Sequence, residues 1–309
     1  MFAARGILVS LAFFGMVYCP LSLLVVTAWR GLLRHPHNSV LGSANFLFGL
    51  RIVSFCVSSI VTIFFTFPSF WLMERASLDE DAATFLLAAC SLLILAAGLF
   101  RVIRAQAKTK HSVSQWLSQS ASPTDHAPVP TLSASKGAPA LILIGIRKPE
   151  VLVSDVATLL LNEDELQVAV RHELGHMRSR DNLKKILISA TPFPGMSSLD
   201  HAWREAAELA ADDAAVTNRE NALDLAAALI KLSRASKRWA EPALASGLMN
   251  GSSSVGLRVE RLLQWRMARR GLRWTWPCTL SLFLFTGAIA VKYGAILVLI
   301  HRLTETLVP

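Results

Sequence analysis

Cysteine is scarce in this chain. Only 4 occur in 309 residues, at Cys19, Cys56, Cys90 and Cys278, and no two are close in sequence. Each falls inside a long apolar block. That excludes a disulfide framework and a CxxC metal site. Acid is also in short supply, with 22 Asp and Glu against 31 Lys and Arg, for a net charge of +9. A basic excess suggests nucleic acid first. Here the cations stand beside apolar blocks, so membrane topology explains them better and no direct nucleic-acid partner is expected.

Apolar residues are abundant. They make up 53% of the chain, above the roughly 45–50% of soluble domains, and the mean hydropathy is +0.44. They are segregated to the two ends, with a polar block between. This is the pattern of an integral membrane protein that carries one soluble domain of about 160 residues, large enough for its own core.

Four blocks are long enough to cross a bilayer, which takes about 20 residues. They run from Ile7 to Trp29, Ile52 to Leu72, Ala82 to Phe100 and Trp274 to Ile300. The first is too long for a signal-peptide core and lacks a small-x-small cleavage site, so it reads as a retained span. Arg30, Arg34 and Arg51 surround the first loop, which has no acid. His35 and His37 there read as interfacial residues rather than ligands. The loop from Glu74 to Asp81 is acidic, and Arg101, Arg104, Lys108 and Lys110 follow the third block. The positive-inside rule then places both termini outside and the middle of the chain in the cytoplasm of a multi-pass cell-membrane protein. Lys292 interrupts the last block near its outer end, where a snorkelling side chain explains it more simply than an intramembrane function.

The expected organisation is a transmembrane region over 1–104, a flexible linker over 105–139, a cytoplasmic domain over 140–270, and a fourth span with a short tail over 271–309. The linker is rich in Ser, Ala and Pro, with an amphipathic piece around Trp116 and Leu117. Leu141 to Ile146 and Val151 to Ser154 predict a small β-hairpin, and a short helix follows from Asp155 to Leu161. Asn162 then caps a helix, with Glu165 three residues on and Glu163 and Asp164 in the first turn. Leu183 to Thr191 is apolar but too short to span. Further helices are predicted over Asp200 to Val216, Ala222 to Trp239 and Val255 to Arg270.

The capped helix carries Arg171-His172-Glu173-Leu174-Gly175-His176. Histidines at i and i+4 leave one helix face one turn apart, so their nitrogens can share a Zn²⁺. Glu173 between them is placed to take a proton from water activated there. Three fixed letters occur by chance in a chain of this length, so a third ligand is needed. The alanine-rich segment His201 to Val216 offers acids. Glu208 and Asp212 share a face at i and i+4, with Glu208 as ligand and Asp212 holding a histidine by hydrogen bond. Glu205 is the rival ligand, and a solvated acidic face is the plain alternative. The small alanines would let this helix approach the first closely.

Taken together, Asn162 to Leu166, Arg171 to His176, Arg178-Ser-Arg-Asp-Asn-Leu183, Glu208-Leu-Ala-Ala-Asp212 and Arg258-Val-Glu-Arg-Leu-Leu263 resemble the BlaR/MecR-type integral-membrane zinc metallopeptidases. Arg147 to Ser154 fits the segment just before. The resemblance implies a mainly α protein with four transmembrane helices and a cytoplasmic α+β gluzincin-like domain. It implies one Zn²⁺ on His172, His176 and Glu208, with Asp212 behind them and Glu173 as general base. Ala211 stands where the family usually has a cysteine, and Phe193-Pro194-Gly195 where it has an aromatic-Asn-Pro stretch. The best-known members carry an extracellular penicillin-binding sensor after the last span. This chain stops at Pro309, and no such sensor is expected.

The expected function is a membrane-anchored metalloendopeptidase that cleaves a cytoplasmic protein, such as a transcriptional repressor, in signal transduction. An HtpX-like quality-control protease is the alternative, and a non-catalytic zinc-fold interaction module a third reading that an intact Glu173 argues against. The partners expected are a protein substrate and membrane lipid, with a homodimer left open. His201 and Arg204 are candidates for stabilising the oxyanion, and an edge strand of the hairpin for holding the substrate.

Overall fold

The computed structural model describes residues 2–33, 44–73, 82–117, 123–124, 131–134, 139–235, 246–247, 255–265 and 292–303. The chain divides into two compact units. One comprises 1–36, 50–97 and 269–309, and the other 37–49 and 98–268.

The first unit is helical. Its elements come from α1 (Phe2–Leu33), α2 (Ala44–Val61), α3 (Phe67–Met73) and α4 (Ala82–Leu117). Three helical stretches are long and apolar enough to cross a membrane: Ala3–Gly31, Ala44–Met73 and Ala82–Trp116. Small and hydroxyl side chains let these helices pack. The Ser58 and Ser91 hydroxyls donate to carbonyls one turn back, at 2.8 and 2.9 Å, which satisfies them without water. Arg51, expected at the border of the first loop, is instead buried on α2. Between α2 and α3 a π-helical turn, Thr62–Thr66, widens the helix. Pro68 follows and has no N–H to offer the Phe64 carbonyl four residues back. The hydroxyl of Tyr293 donates to that carbonyl at 2.7 Å. Tyr293 lies on a helix over 292–303, α11, where Lys292 is exposed. Residues 274–291 of the expected fourth span lie outside the described residues.

The second unit combines a small sheet with helices. The strands are β1 (Pro123–Thr124), β2 (Thr131–Ala134), β3 (Leu141–Ile144), β4 (Glu150–Ser154) and β5 (Ser246–Gly247), in the order β1-β2-β4-β3-β5. The hairpin β3–β4 forms as expected, pairing Leu141 with Val153 and Ile144 with Glu150. Two expectations need correction. First, 105–117 is not linker. α4 runs unbroken to Leu117 because its Val113 and Trp116 pack against Ile142, Ile144 and Leu152 of the hairpin. Second, β3 and β4 are not edge strands. β2 lies parallel along β4, and β5 pairs with Ile142 and Leu143 of β3.

The hairpin is covered on both faces, which is why its strands read as continuous apolar runs. One face packs on α4. Leu141, Leu143 and Val151 on the other join the main core, with Val168, Ala169 and Leu174 of α6 (Glu163–Ser179) and Leu225, Leu229 and Leu232 of α9 (Arg219–Ala235). The remaining helices are α5 (Asp155–Leu160), α7 (Asp181–Ala190), α8 (Ser197–Ala215) and α10 (Val255–Leu263). Helices form at the predicted places, but α10 ends at Leu263 rather than Arg270, and 236–239 and 266–270 lie outside the described residues.

Candidate metal centre

The centre is built on α6. Its N-terminus carries the complete capping box: the Glu165 N–H donates to Asn162 Oδ1 at 2.8 Å, and the Asn162 N–H donates to Glu165 Oε2 at 3.0 Å. That fixes the rotation of the helix, and His172, Glu173 and His176 all face inward at 1% exposure or less. α8 lies across them. A Cβ added to Gly175 would stand 3.1 Å from the Ala211 Cα, so the two helices touch where both residues are small. This close approach brings Glu208 and Asp212 of α8 to the histidines.

The resulting geometry is that of a metal site. His172 Nε2 and His176 Nε2 are 3.2 Å apart. Glu208 Oε2 is 3.5 Å from His172 Nε2, and Oε1 is 3.5 Å from His176 Nε2. A tetrahedral ion with bonds of about 2.0–2.1 Å needs its ligands roughly 3.3 Å apart. The three residues therefore fit such an ion with nitrogen and carboxylate donors. Glu205 does not compete. It is exposed on the outer face of α8 and pairs with exposed His201 at 3.6 Å.

Each histidine is backed by an aspartate. His172 Nδ1 lies 2.9 Å from Asp212 Oδ1, a close contact whose angle falls short of a well-aligned hydrogen bond. His176 Nδ1 lies 2.7 Å from Asp181 Oδ2. Behind Asp212 stands Arg258 of α10. Its Nε and Nη2 donate to the two Asp212 oxygens at 2.8 and 2.6 Å, and its Nη1 donates to Glu208 Oε2 at 3.0 Å. Arg258 is only 2% exposed. Burial alone would raise the Glu208 and Asp212 carboxyls. His172 and Arg258 outweigh it and hold both below the usual carboxylate range. Burial would likewise lower His172, but Asp212 and Glu208 push it up to about 9.

Glu173 is different. It is 0% exposed, and neither carboxylate oxygen has a hydrogen-bond partner among the described residues. Burial raises its pKa, against the pull of the two histidines. A buried carboxylate without a donor is costly unless the site supplies one when it works.

Sequence reasoning missed Asp181 and Arg258 as site residues. Asp181 had a signal, an acid five residues after the second histidine. Arg258 had one too. It occupies the helical stripe of Val255 and Leu262, both buried, where an unpaired arginine would be prohibitively costly.

A family model described as BlaR1 peptidase M56 matches residues 81–262, which is 182 of the 309 residues. The chain belongs to the BlaR1 peptidase M56 family. It is accordingly a peptidase of a membrane-associated type, and its apolar helices agree with that. The match takes in α4 to α10 and so includes every residue of the metal centre. No curated protein matches the chain.

Proposed function

We propose that this M56 peptidase is a membrane-anchored zinc endopeptidase that cleaves a cytoplasmic protein in regulated proteolysis. The observation that carries the reading is Glu173, a fully buried carboxylate without a hydrogen bond among the described residues, one residue from a candidate ligand in a His172–His176–Glu208 cluster. A structural zinc site closes its fourth position with a protein ligand, whereas a catalytic one keeps three ligands and an opening. Among the described residues only three donors converge here.

When bound, zinc supplies a Lewis acid that polarises a peptide carbonyl and lowers the pKa of water toward neutrality. The protein does the rest. Asp212 and Asp181 orient the histidine rings so that both Nε2 atoms face the ion. Arg258 holds Glu208 in place. Glu173 accepts a proton from the attacking water and later delivers it to the leaving amine, and burial raises its pKa in the direction that favours a base.

The positive loops around the apolar helices support a cytoplasmic catalytic domain. A cytoplasmic repressor is the substrate that fits such a placement and the family. The test is Glu173→Gln in the full-length protein. It should keep about one zinc per chain and lose two to four orders of magnitude in cleavage. Full cleavage by that variant would refute the mechanism. Comparing protein N-termini between wild-type and Glu173→Gln cells would identify the substrate. A reporter fused at Ser120 should read as cytoplasmic.

A further inference from the structure

A small, partly open cleft lies beside the candidate metal ligands, lined by His176, Asp181, Lys185, Trp203, Arg204 and Glu208. Its two carboxylates are already engaged. Asp181 binds His176 and contacts Lys184, and Glu208 binds Arg258. Its donors are not all engaged. Trp203 is 1% exposed, and its indole N–H has no acceptor among the described residues. Arg204 lies one turn before Glu208 on α8, so it faces the same side, and it makes no ion pair or hydrogen bond among the described residues. Lys185 approaches from α7, one turn after Asp181.

The residues that line the cleft therefore include two cations and a tryptophan whose buried N–H has no acceptor among the described residues. A neutral or apolar substrate group would leave that N–H without a partner, at a cost. A cationic group would be repelled. A carboxylate satisfies them together, because a guanidinium fork binds it by two parallel hydrogen bonds and an ammonium adds its charge.

We propose that this cleft is the subsite for a substrate carboxylate next to the scissile bond, held by Arg204 and Lys185 and contacted by the Trp203 indole N–H. The proposal rests on the peptidase reading above and names the substrate class for it. The carboxylate has two sources, an Asp or Glu side chain within a protein or a free C-terminus.

The test uses the full-length protein in lipid nanodiscs with zinc, and quenched-fluorescent peptides in matched pairs. One pair exchanges Glu for Gln at each position flanking the cleaved bond. The other exchanges a free C-terminus for an amide. The proposal expects kcat/KM at least about tenfold higher for the carboxylate member of one pair. Which pair responds assigns the source. Arg204→Gln should bring that ratio close to one, and Arg204→Glu should turn the preference toward a Lys peptide. No carboxylate preference in the wild type, or one that survives in both Arg204→Gln and Lys185→Gln, overturns the proposal.

A second readout avoids turnover: binding of the same pairs to zinc-loaded Glu173→Gln, by fluorescence anisotropy. Tighter binding of the carboxylate peptide there without cleavage by the wild type would keep the subsite and remove the peptidase reading. Cleavage with equal binding and equal rates would do the reverse.

Discussion

The two flanks of the histidine pair are built differently. On the flank of Asp212 and Arg258, the charges that reach the histidines are buried and committed. Asp212 is 0% exposed, Arg258 is 2%, and three hydrogen bonds join Arg258 to Asp212 and Glu208. On the flank of α7, a cleft exposes Lys185 and Arg204, and Asp181 is backed only by Lys184 at 3.4 Å. The histidines share chemistry but not surroundings. His172 is anchored by an aspartate from another helix, forty residues on, and His176 by one five residues away. The difference separates a frame from a working face. The frame fixes where a metal would sit, and the working face leaves Arg204 outside that network.

The strongest way to break that contrast is to remove the central cation of each flank. Arg258→Met would strand two buried carboxylates, and a broken buried ion pair costs about 3–5 kcal/mol. Lys184→Met removes an exposed hydrogen bond to Asn45 at 2.9 Å and a contact at 3.4 Å from an aspartate that keeps its histidine, and should cost less, about 1 kcal/mol. Denaturant unfolding of the metal-free protein in detergent measures both. Zinc should recover part of the Arg258→Met loss, since its charge substitutes for the guanidinium beside Glu208. Equal losses would mean that the flanks are alike.

The aspartates come next. Removing a partner behind a ligand histidine weakens metal binding by about 10- to 100-fold. Asp181→Asn should fall at the lower end and Asp212→Asn at the upper, because the second also deprives Arg258 of two acceptors. Competition with a chromophoric chelator gives the values, and the reverse order would remove the distinction between frame and working face.

The same titration sharpens the contrast through pH. In the metal-free protein His172 holds its proton up to about 9, and zinc must displace it. Apparent zinc affinity should therefore climb about tenfold per pH unit between 7 and 9 from this group alone. The sign for stability is opposite. The extra proton stabilises the metal-free fold fully below the ordinary value of 6.5 and ceases to do so as the pH passes about 9. Asp212→Asn removes the contact that raises the pKa, and should flatten the affinity slope above pH 7.

Much of this was legible in the sequence because it is local. The capping box, the i, i+4 histidines and the acidic pair on an alanine-rich helix each fit within one or two helical turns, and α6 and α8 fold as those patterns require. The approach of α8 through Ala211 onto Gly175 followed from residue size. The sheet was not legible beyond its hairpin. β2 joins β4 in parallel and β5 joins β3 across about a hundred residues, and two- to four-residue strands leave no periodicity to read. The Ser, Ala and Pro content of 105–139 hid the last three turns of α4, whose order comes from packing Trp116 on the sheet. The role of Arg258 was not legible because its partners lie nearly fifty residues upstream.

The smallest effect concerns the joint between the two flanks. Arg180 ends α6 and begins α7 in the left-handed conformation, φ 54 and ψ 40, and it is the one non-glycine residue with positive φ among those described. The reversal it makes turns Asp181 back onto His176. A left-handed backbone costs a residue with a Cβ roughly 1–2 kcal/mol. Glycine escapes that cost but gains about 0.4–1 kcal/mol of freedom in the unfolded chain. Arg180→Gly should thus be neutral or stabilising by up to about 1 kcal/mol, with zinc affinity unchanged because Asp181 keeps its place. Arg180→Val puts a β-branched side chain where it is most strained. It should lose stability and, if the joint sets the position of Asp181, lose zinc affinity in step with Asp181→Asn. A valine variant that unfolds more easily yet binds zinc normally would assign Asp181 to the rigid frame after all.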